Sequence, residues 1–345
     1  MTRDLSPTDL NRTVLARQLL LDRSALPLHR VVERMAGVQA QYAPSAYIGL
    51  WSRVTGFQRR DLTSALERRA VVQATVMRGT IHLVSRSDFW PLTEASRIPR
   101  RNAWDRTFGR THDVGKIMAL ASEVEAFLAD GPRKRRDIID ALGIDSEIWN
   151  GVVNWVDLVR IPPSGTWEAR RADLYGLAES WVGGNDTLPA VGRDLLVRRY
   201  LSGFGPASRG DIQAFTLLTL DDIDGSLSRL RTRRRTTRQG HELIDLSGAP
   251  IVTGDAAAPV RFIGNWDALL LVHARRAGIL PEEHRTRIFH TKTPHSFATF
   301  IVDGRVRGTW REEDGRVVLD RFQPVPRRFE RALTEERRRL EDFLR

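Results

Sequence analysis

Gln39-Ala40-Gln41 places two amide side chains one residue apart. A glutamine does not ionise near neutral pH, so it is a poor general base; it can orient a water and set carbonyl dipoles near developing positive charge. The same pair can equally face solvent, or bond backbone groups in a turn after Met35-Ala36-Gly37. Two arginines stand out beside it: Arg12, in Leu-Asn-Arg, and Arg78, in Met-Arg-Gly-Thr. Their guanidinium forks suit phosphate oxygens and stacked bases, and suit intramolecular salt bridges as well. Residues 231–238 read RTRRRTTR, with Arg233, Arg234 and Arg235 at the centre. Such a run either contacts phosphates, which positions a protein on DNA without reading sequence, or is a solvated loop.

Other chemistries lack their residues. There is no cysteine, which removes disulfides, thiolate zinc sites, iron–sulfur clusters and cysteine nucleophiles together. None of the eight histidines opens an HExxH, since His241 begins HELID, and neither GxGxxG nor a Walker A loop is present. No metal and no nucleotide cofactor is therefore expected. A strand-opening lyase needs an amine nucleophile. The only lysines are Lys116, Lys134 and Lys292, none beside the glutamine pair, which leaves the terminal amine.

The 345 residues carry 54 Lys and Arg against 43 Asp and Glu, a net charge of +11. Arginine codon bias accounts for Arg in place of Lys, but not for the surplus charge, so nucleic acid or an anionic surface is the default partner. No run of about 18 apolar residues is present to span a bilayer, and the first residues, MTRDLSPTDLNR, lack the apolar core of a secretory signal. A cytoplasmic protein without membrane contact is expected.

The elements that must position these residues emerge from an internal repeat. Gly131, Pro132, Arg135, Asp137 and Ile138 recur as Gly205, Pro206, Arg209, Asp211 and Ile212; Asp61, Leu62, Ala65 and Leu66 echo as Asp222, Ile223, Ser226 and Leu227. Around the first copy, helices are predicted over 115–129, 134–142 and 146–158, then two strand-like runs joined by a Pro-Gly turn. That is the order of a winged helix, and the second copy repeats it. The N-terminal third gives it again with helices over 7–21, 28–36 and 61–69 and a hairpin from AVVQATVMRGTIHLVS. From about residue 249 the pattern changes to short alternating runs, with Asp303-Gly304 as a hairpin signal, and a helix over 328–345 closes the chain. The predicted fold class is α+β: three tandem winged-helix units followed by a small antiparallel β domain or barrel, divided at 1–114, 115–186, 187–248 and 249–345. Many winged helices only pack or bind protein; the basic third hairpin argues for DNA.

LNRTVLARQLLLDR, VVERMAGVQAQYAPSAYIGLWSR, VMRGTIHLVS, the HAR after ALLL and the VDGRVRGTWR hairpin together resemble the HTH_42 superfamily of bacterial DNA glycosylases, in its AlkZ branch. The resemblance covers nearly the whole chain, and its most specific element is Gln39-Ala40-Gln41; the related YcaQ branch has Asp at the second position. Ser45-Ala46-Tyr47 departs from it, with alanine where a proline precedes the tyrosine. The resemblance implies a monofunctional glycosylase acting on alkylated purines in double-stranded DNA, 7-alkylguanine and bulky or crosslinked adducts included, for repair or for self-resistance to alkylating natural products. Gln39 and Gln41 would be catalytic, and His273 and Arg276, matching an HxxR pattern, would line the DNA channel. A lone histidine after an apolar strand also serves often as a core residue. A purine alkylated on a ring nitrogen is already cationic and leaves as a neutral base, so two amides suffice where a poorer leaving group would need a strong acid or base. The alternative from another class is a winged-helix transcriptional regulator, which usually needs one unit and a dimer, whereas tandem units in one chain favour a monomer on one duplex site.

Overall fold

A computed structural model describes residues 4–271, 278–289 and 296–345. The chain enters through α1 (Pro7–Arg17), where the Ser6 hydroxyl accepts from the Asp9 N–H and the Asp9 carboxylate accepts from the Ser6 N–H. Then follow α2 (Leu28–Arg34), β1 (Val38–Gln39), α3 (Ala43–Trp51), α4 (Arg59–Glu67) and the hairpin β2 (Val71–Thr75) and β3 (Ile81–Ser85). A long helix, α5 (Arg86–Phe108), leads to α6 (Val114–Leu128), β4 (Arg133–Lys134), α7 (Arg135–Leu142), α8 (Ser146–Val152) and a second hairpin, β5 (Leu158–Arg160) and β6 (Leu174–Leu177). After α9 (Ala178–Val182) come α10 (Pro189–Phe204), α11 (Arg209–Thr216), α12 (Leu220–Arg229) and a third hairpin, β7 (Thr232–Thr236) and β8 (Glu242–Leu246). The rest of the chain supplies β9 (Arg261–Ile263), α13 (Ala268–Leu271), α14 (Arg285–Ile288), β10 (Thr299–Val302), β11 (Arg305–Glu313), β12 (Arg316–Arg321) and α15 (Arg327–Leu344).

The fold mixes helix and sheet, with antiparallel pairing in every sheet among the described residues. Helix, short strand, two helices and a hairpin occur in that order from α2 to β3 and again from α6 to β6; from α10 to β8 a bridge between Ala207 and Ile244 stands where the short strand would be. The first two hairpins pair edge to edge through Gln73–Arg160 and Ala74–Val159, giving one six-stranded sheet, β1-β3-β2-β5-β6-β4. That pairing crosses residue 114. The C-terminal sheet runs β12-β11-β10-β9, and its two tight turns are both Asp-Gly with positive φ at each residue: 50° and 75° at Asp303-Gly304, 50° and 75° at Asp314-Gly315.

Two helices lie where the sequence reading assigned no element. Every residue of α3 is buried, so no polar face exists to set up a helical period, and the stretch reads as a loop. The 23-residue α5 contains Pro91 and Pro99, which read as breakers. It persists because α10 lies along it: at Gly192 a Cβ would come 2.4 Å from the Pro91 carbonyl oxygen, so the missing side chain permits the approach. One apolar core extends from α1 through β2 and β3 to α10, α11 and Val306 of β11; a second joins α3, α4 and the C-terminal sheet to Leu333 and Leu340 of α15.

Candidate active site

The glutamine pair sits where α2 hands over to the edge of the six-stranded sheet. Ala36 and Gly37 take positive φ, 60° and 83°, ending α2 and turning the chain into β1. The positive φ selects glycine at 37, where a Cβ would also have to displace the flexible end of Met77, 2.8 Å away. Gln39 then stands opposite His82 in the β1–β3 register, both side chains buried. Residues directly opposite in an antiparallel pair share a face. Gln41 lies just beyond the strand and is exposed.

Arg78 reaches the same point from the β2–β3 turn. Its backbone is left-handed (φ 55°, ψ 20°), unusual for a residue with a side chain, and half-buries the guanidinium over the Phe215 ring at 4.7 Å from its centroid. Arg78 Nη2 donates to Gln39 Oε1 at 3.1 Å and to His82 Nε2 at 3.2 Å. His82 Nδ1 lies 2.9 Å from the Thr80 carbonyl oxygen, an acceptor only, so Nδ1 carries the proton and Nε2 offers its lone pair to Arg78. Burial, with the Arg78 charge adding to it, holds the His82 pKa down at about 3. Burial also lowers that of Arg78, to about 10, which still leaves it a cation at neutral pH. Gln41 is fixed differently: its Oε1 accepts from the Ile81 N–H at 2.5 Å, while the Ala40 N–H donates to the Ile81 carbonyl at 2.8 Å. Gln41 thus extends the β1–β3 ladder with its side chain.

Both anchors are donors only, so the atom facing each must be the amide oxygen. Each Oε1 keeps one lone pair, and among the described residues neither Nε2 has a hydrogen-bond partner. The arrangement can hold a water by giving it acceptors and donors from two rigid amides, with no titratable base in contact. Next to it, the Tyr42 hydroxyl accepts from Arg170 Nη1 at 3.2 Å, which brings the β5–β6 loop to the exposed side of the pair.

The other candidate residues fall elsewhere. Arg12 was expected on DNA; instead its nitrogens are spent inside the fold, on Asp303 Oδ1 at 2.6 Å, the Ala256 carbonyl at 2.7 Å and Asn11 Oδ1 at 2.7 Å. A Cβ on Gly304 would sit 2.3 Å from Arg12 Nη1, so the glycine of the β10–β11 turn is what admits this lock. Arg78, half-buried, is engaged by Gln39, His82 and Phe215 at the glutamine site. Strand alternation splits the basic run: Arg234 points out, paired with Glu242 at 2.7 Å, whereas Arg235 turns inward to within 4.0 Å of the buried Asp245. Arg233 lies on the face of Arg235 by the same alternation and is likewise half-buried. His273 and Arg276 lie outside the described residues. Among the described residues no cluster of three or more His, Asp or Glu could hold a metal ion, and no helix is long and apolar enough to cross a membrane. His82 and Phe215 were missed in the sequence; the only signal for His82 was its place three residues after Arg78-Gly79 in a strand-like run.

Residues 32–343 match the family model described as DNA glycosylase AlkZ-like. The chain is similar to the interstrand DNA cross-link repair glycosylase of Streptomyces sahachiroi, with 25% identity over 93% of this chain and 91% of that protein. The solved structure of Streptomyces sahachiroi DNA glycosylase AlkZ superposes with a TM-score of 0.80 over 97% of this chain and 95% of that one, at 20% identity.

Proposed function

The chain belongs to the AlkZ-like family of DNA glycosylases, and from that premise we propose that it hydrolyses the N-glycosidic bond of purines alkylated on a ring nitrogen. The substrate class is 7-alkylguanine in double-stranded DNA, with bulky and crosslinked adducts included. The relative from Streptomyces sahachiroi is named for interstrand cross-link repair, and repair of such damage, or self-resistance to the natural products that cause it, is the corresponding role here.

Gln39 and Gln41 are the catalytic residues in this reading. Their remaining lone pairs accept the protons of a water whose oxygen faces the anomeric carbon. The bond from that carbon to the base breaks with its electron pair going to the base, which leaves neutral; the water oxygen bonds to the carbon, and one proton is lost to solvent. No side chain has to protonate the leaving group, because the alkylated base already carries the positive charge. The observation that carries the reading is the anchoring of both glutamines by donor-only groups, with the adjacent histidine kept neutral and its lone pair occupied by Arg78.

The repeated element order supports three winged-helix units, divided at 114, 186 and 248, tracking one duplex as a monomer in the cytoplasm. Arg234, on the outward face of the third hairpin, is its phosphate contact. The test is release of free base from duplexes carrying 7-methylguanine and, separately, a bulky guanine adduct, read by chromatography, with the product strand checked for integrity. Free base with an intact abasic strand is expected. Tight binding without release would mean a binding protein instead.

A further inference from the structure

We propose that Arg78 is a positioning residue for the glycosidic step: it sets the orientation of the Gln39 amide, with His82 and Phe215 as its two fixed supports. The inference rests on Gln39 being catalytic. A glutamine amide can rotate about its terminal bond and exchange its oxygen for its nitrogen at little cost, which would swap a donor for an acceptor at the reacting centre. A cation with only donors, held on one side of that amide, removes the exchange. Arg78 Nη2 meets Gln39 Oε1 at 3.1 Å and His82 Nε2 at 3.2 Å, so one nitrogen is shared between the glutamine and a fixed acceptor. The guanidinium carbon sits over the Phe215 ring at 4.7 Å from its centroid, and Nη1 lies 3.5 Å from the Phe215 carbonyl.

The backbone carries the same message. The β2–β3 turn takes two left-handed residues, Arg78 at φ 55° and Gly79 at φ 67°, as the Asp303-Gly304 turn does. Here the conformation turns the guanidinium back over β1 and away from solvent. Phosphate contact, the use expected from its type, would need the opposite. Phe215 belongs to α11, so the Gln39 amide is oriented by a contact between the first and third repeats of the chain.

The experiment compares wild type, Arg78→Ala, Arg78→Lys, Gln39→Ala and the Gln39→Ala/Arg78→Ala double variant on a 7-methylguanine duplex. Three readouts are taken: the single-turnover rate of base release at saturating enzyme, the Kd for the duplex with its salt dependence, and Tm. Arg78→Ala is expected to slow release by roughly 100-fold, the scale of a misplaced catalytic group, with Kd changed less than about threefold and the salt slope unchanged. Arg78→Lys should recover part of the rate, since one ammonium can reach the glutamine but does not replace the guanidinium over Phe215. The double variant should be no slower than Gln39→Ala, because a residue that acts through another adds nothing once that other is gone. Wild-type rate at saturation with weakened, salt-flattened binding would make Arg78 a phosphate contact and overturn the proposal. So would rate losses that multiply in the double variant, or a slow Arg78→Lys whose deficit tracks its Tm. If Gln39→Ala releases base like wild type, or wild type releases none, the reading beneath the proposal fails. If Gln39→Ala is slowed and Arg78→Ala releases base at the wild-type rate, the proposal alone fails.

Discussion

His82 is the residue that shows how this site avoids acid–base chemistry. Its imidazole is buried, Nδ1 is committed to Thr80, and Nε2 accepts from a cation, so protonation would bring two positive charges together in a dry place. Its pKa is therefore held near 3, against about 6.5 for a free histidine. The folded value lies below the unfolded one, so the neutral form stabilises the fold fully above pH 6.5, and that stability is lost as pH falls from 6.5 toward 3. The slope of one such group is about 1.4 kcal/mol per pH unit. Wild type should lose unfolding free energy between pH 6.5 and 5 faster than His82→Gln by up to that amount; equal slopes would contradict the burial assigned to His82. In the same window, base release at saturation should show no limb from His82, because neither the glutamines nor this histidine titrates there. The Gln39-Ala40-Gln41 spacing was legible in the sequence. The partners were not, since Arg78 and His82 meet Gln39 only through a pairing of strands about 40 residues apart.

At the scale of elements, glycines and turns decide where side chains arrive. Gly37→Ala forces a positive φ onto a Cβ and pushes that carbon toward Met77, a strain on the order of 1–2 kcal/mol. Because β1 begins at the next residue, the variant should lower Tm and slow base release together; an unchanged rate at saturation would mean that the handover from α2 does not place Gln39. Arg12→Ala should behave differently. It breaks a part-buried lock between α1 and the β10–β11 turn, and a loss on the order of 1–3 kcal/mol is expected. Kd for DNA should stay as it was, and a weaker Kd with normal Tm would restore Arg12 to the DNA surface. The strands β10 to β12 were legible because alternation and Asp-Gly both act locally, whereas the apolar run Ala268–Leu271, read as a strand, is helical. By contrast, α3 and α5 were not, because total burial erased the period of one and two prolines disguised the other.

For the whole molecule, the net charge of +11 acts through where it is left unpaired. Arg17 forms a bidentate pair with Asp245, and Arg53 does so with Asp267, so much of the arginine holds the repeats and the C-terminal part together. Composition pointed to an anionic partner correctly in kind, but burial decided which cations remain for it, and burial is not readable from the charge count. DNA affinity should fall with salt, and Arg234→Gln should reduce the log–log slope by about 0.9, one phosphate's worth. Arg235→Gln should leave that slope alone and lower Tm; the reverse pattern would place the inward face of the third hairpin on DNA. The most direct measurement is the single-turnover rate of 7-methylguanine release by Gln39→Ala and Gln41→Ala against wild type, with binding confirmed for each. A loss of roughly 100-fold or more in each variant, with duplex affinity retained, is expected of two amides that hold the attacking water. Release at the wild-type rate by either variant would contradict the assignment of this glutamine pair as the catalytic centre.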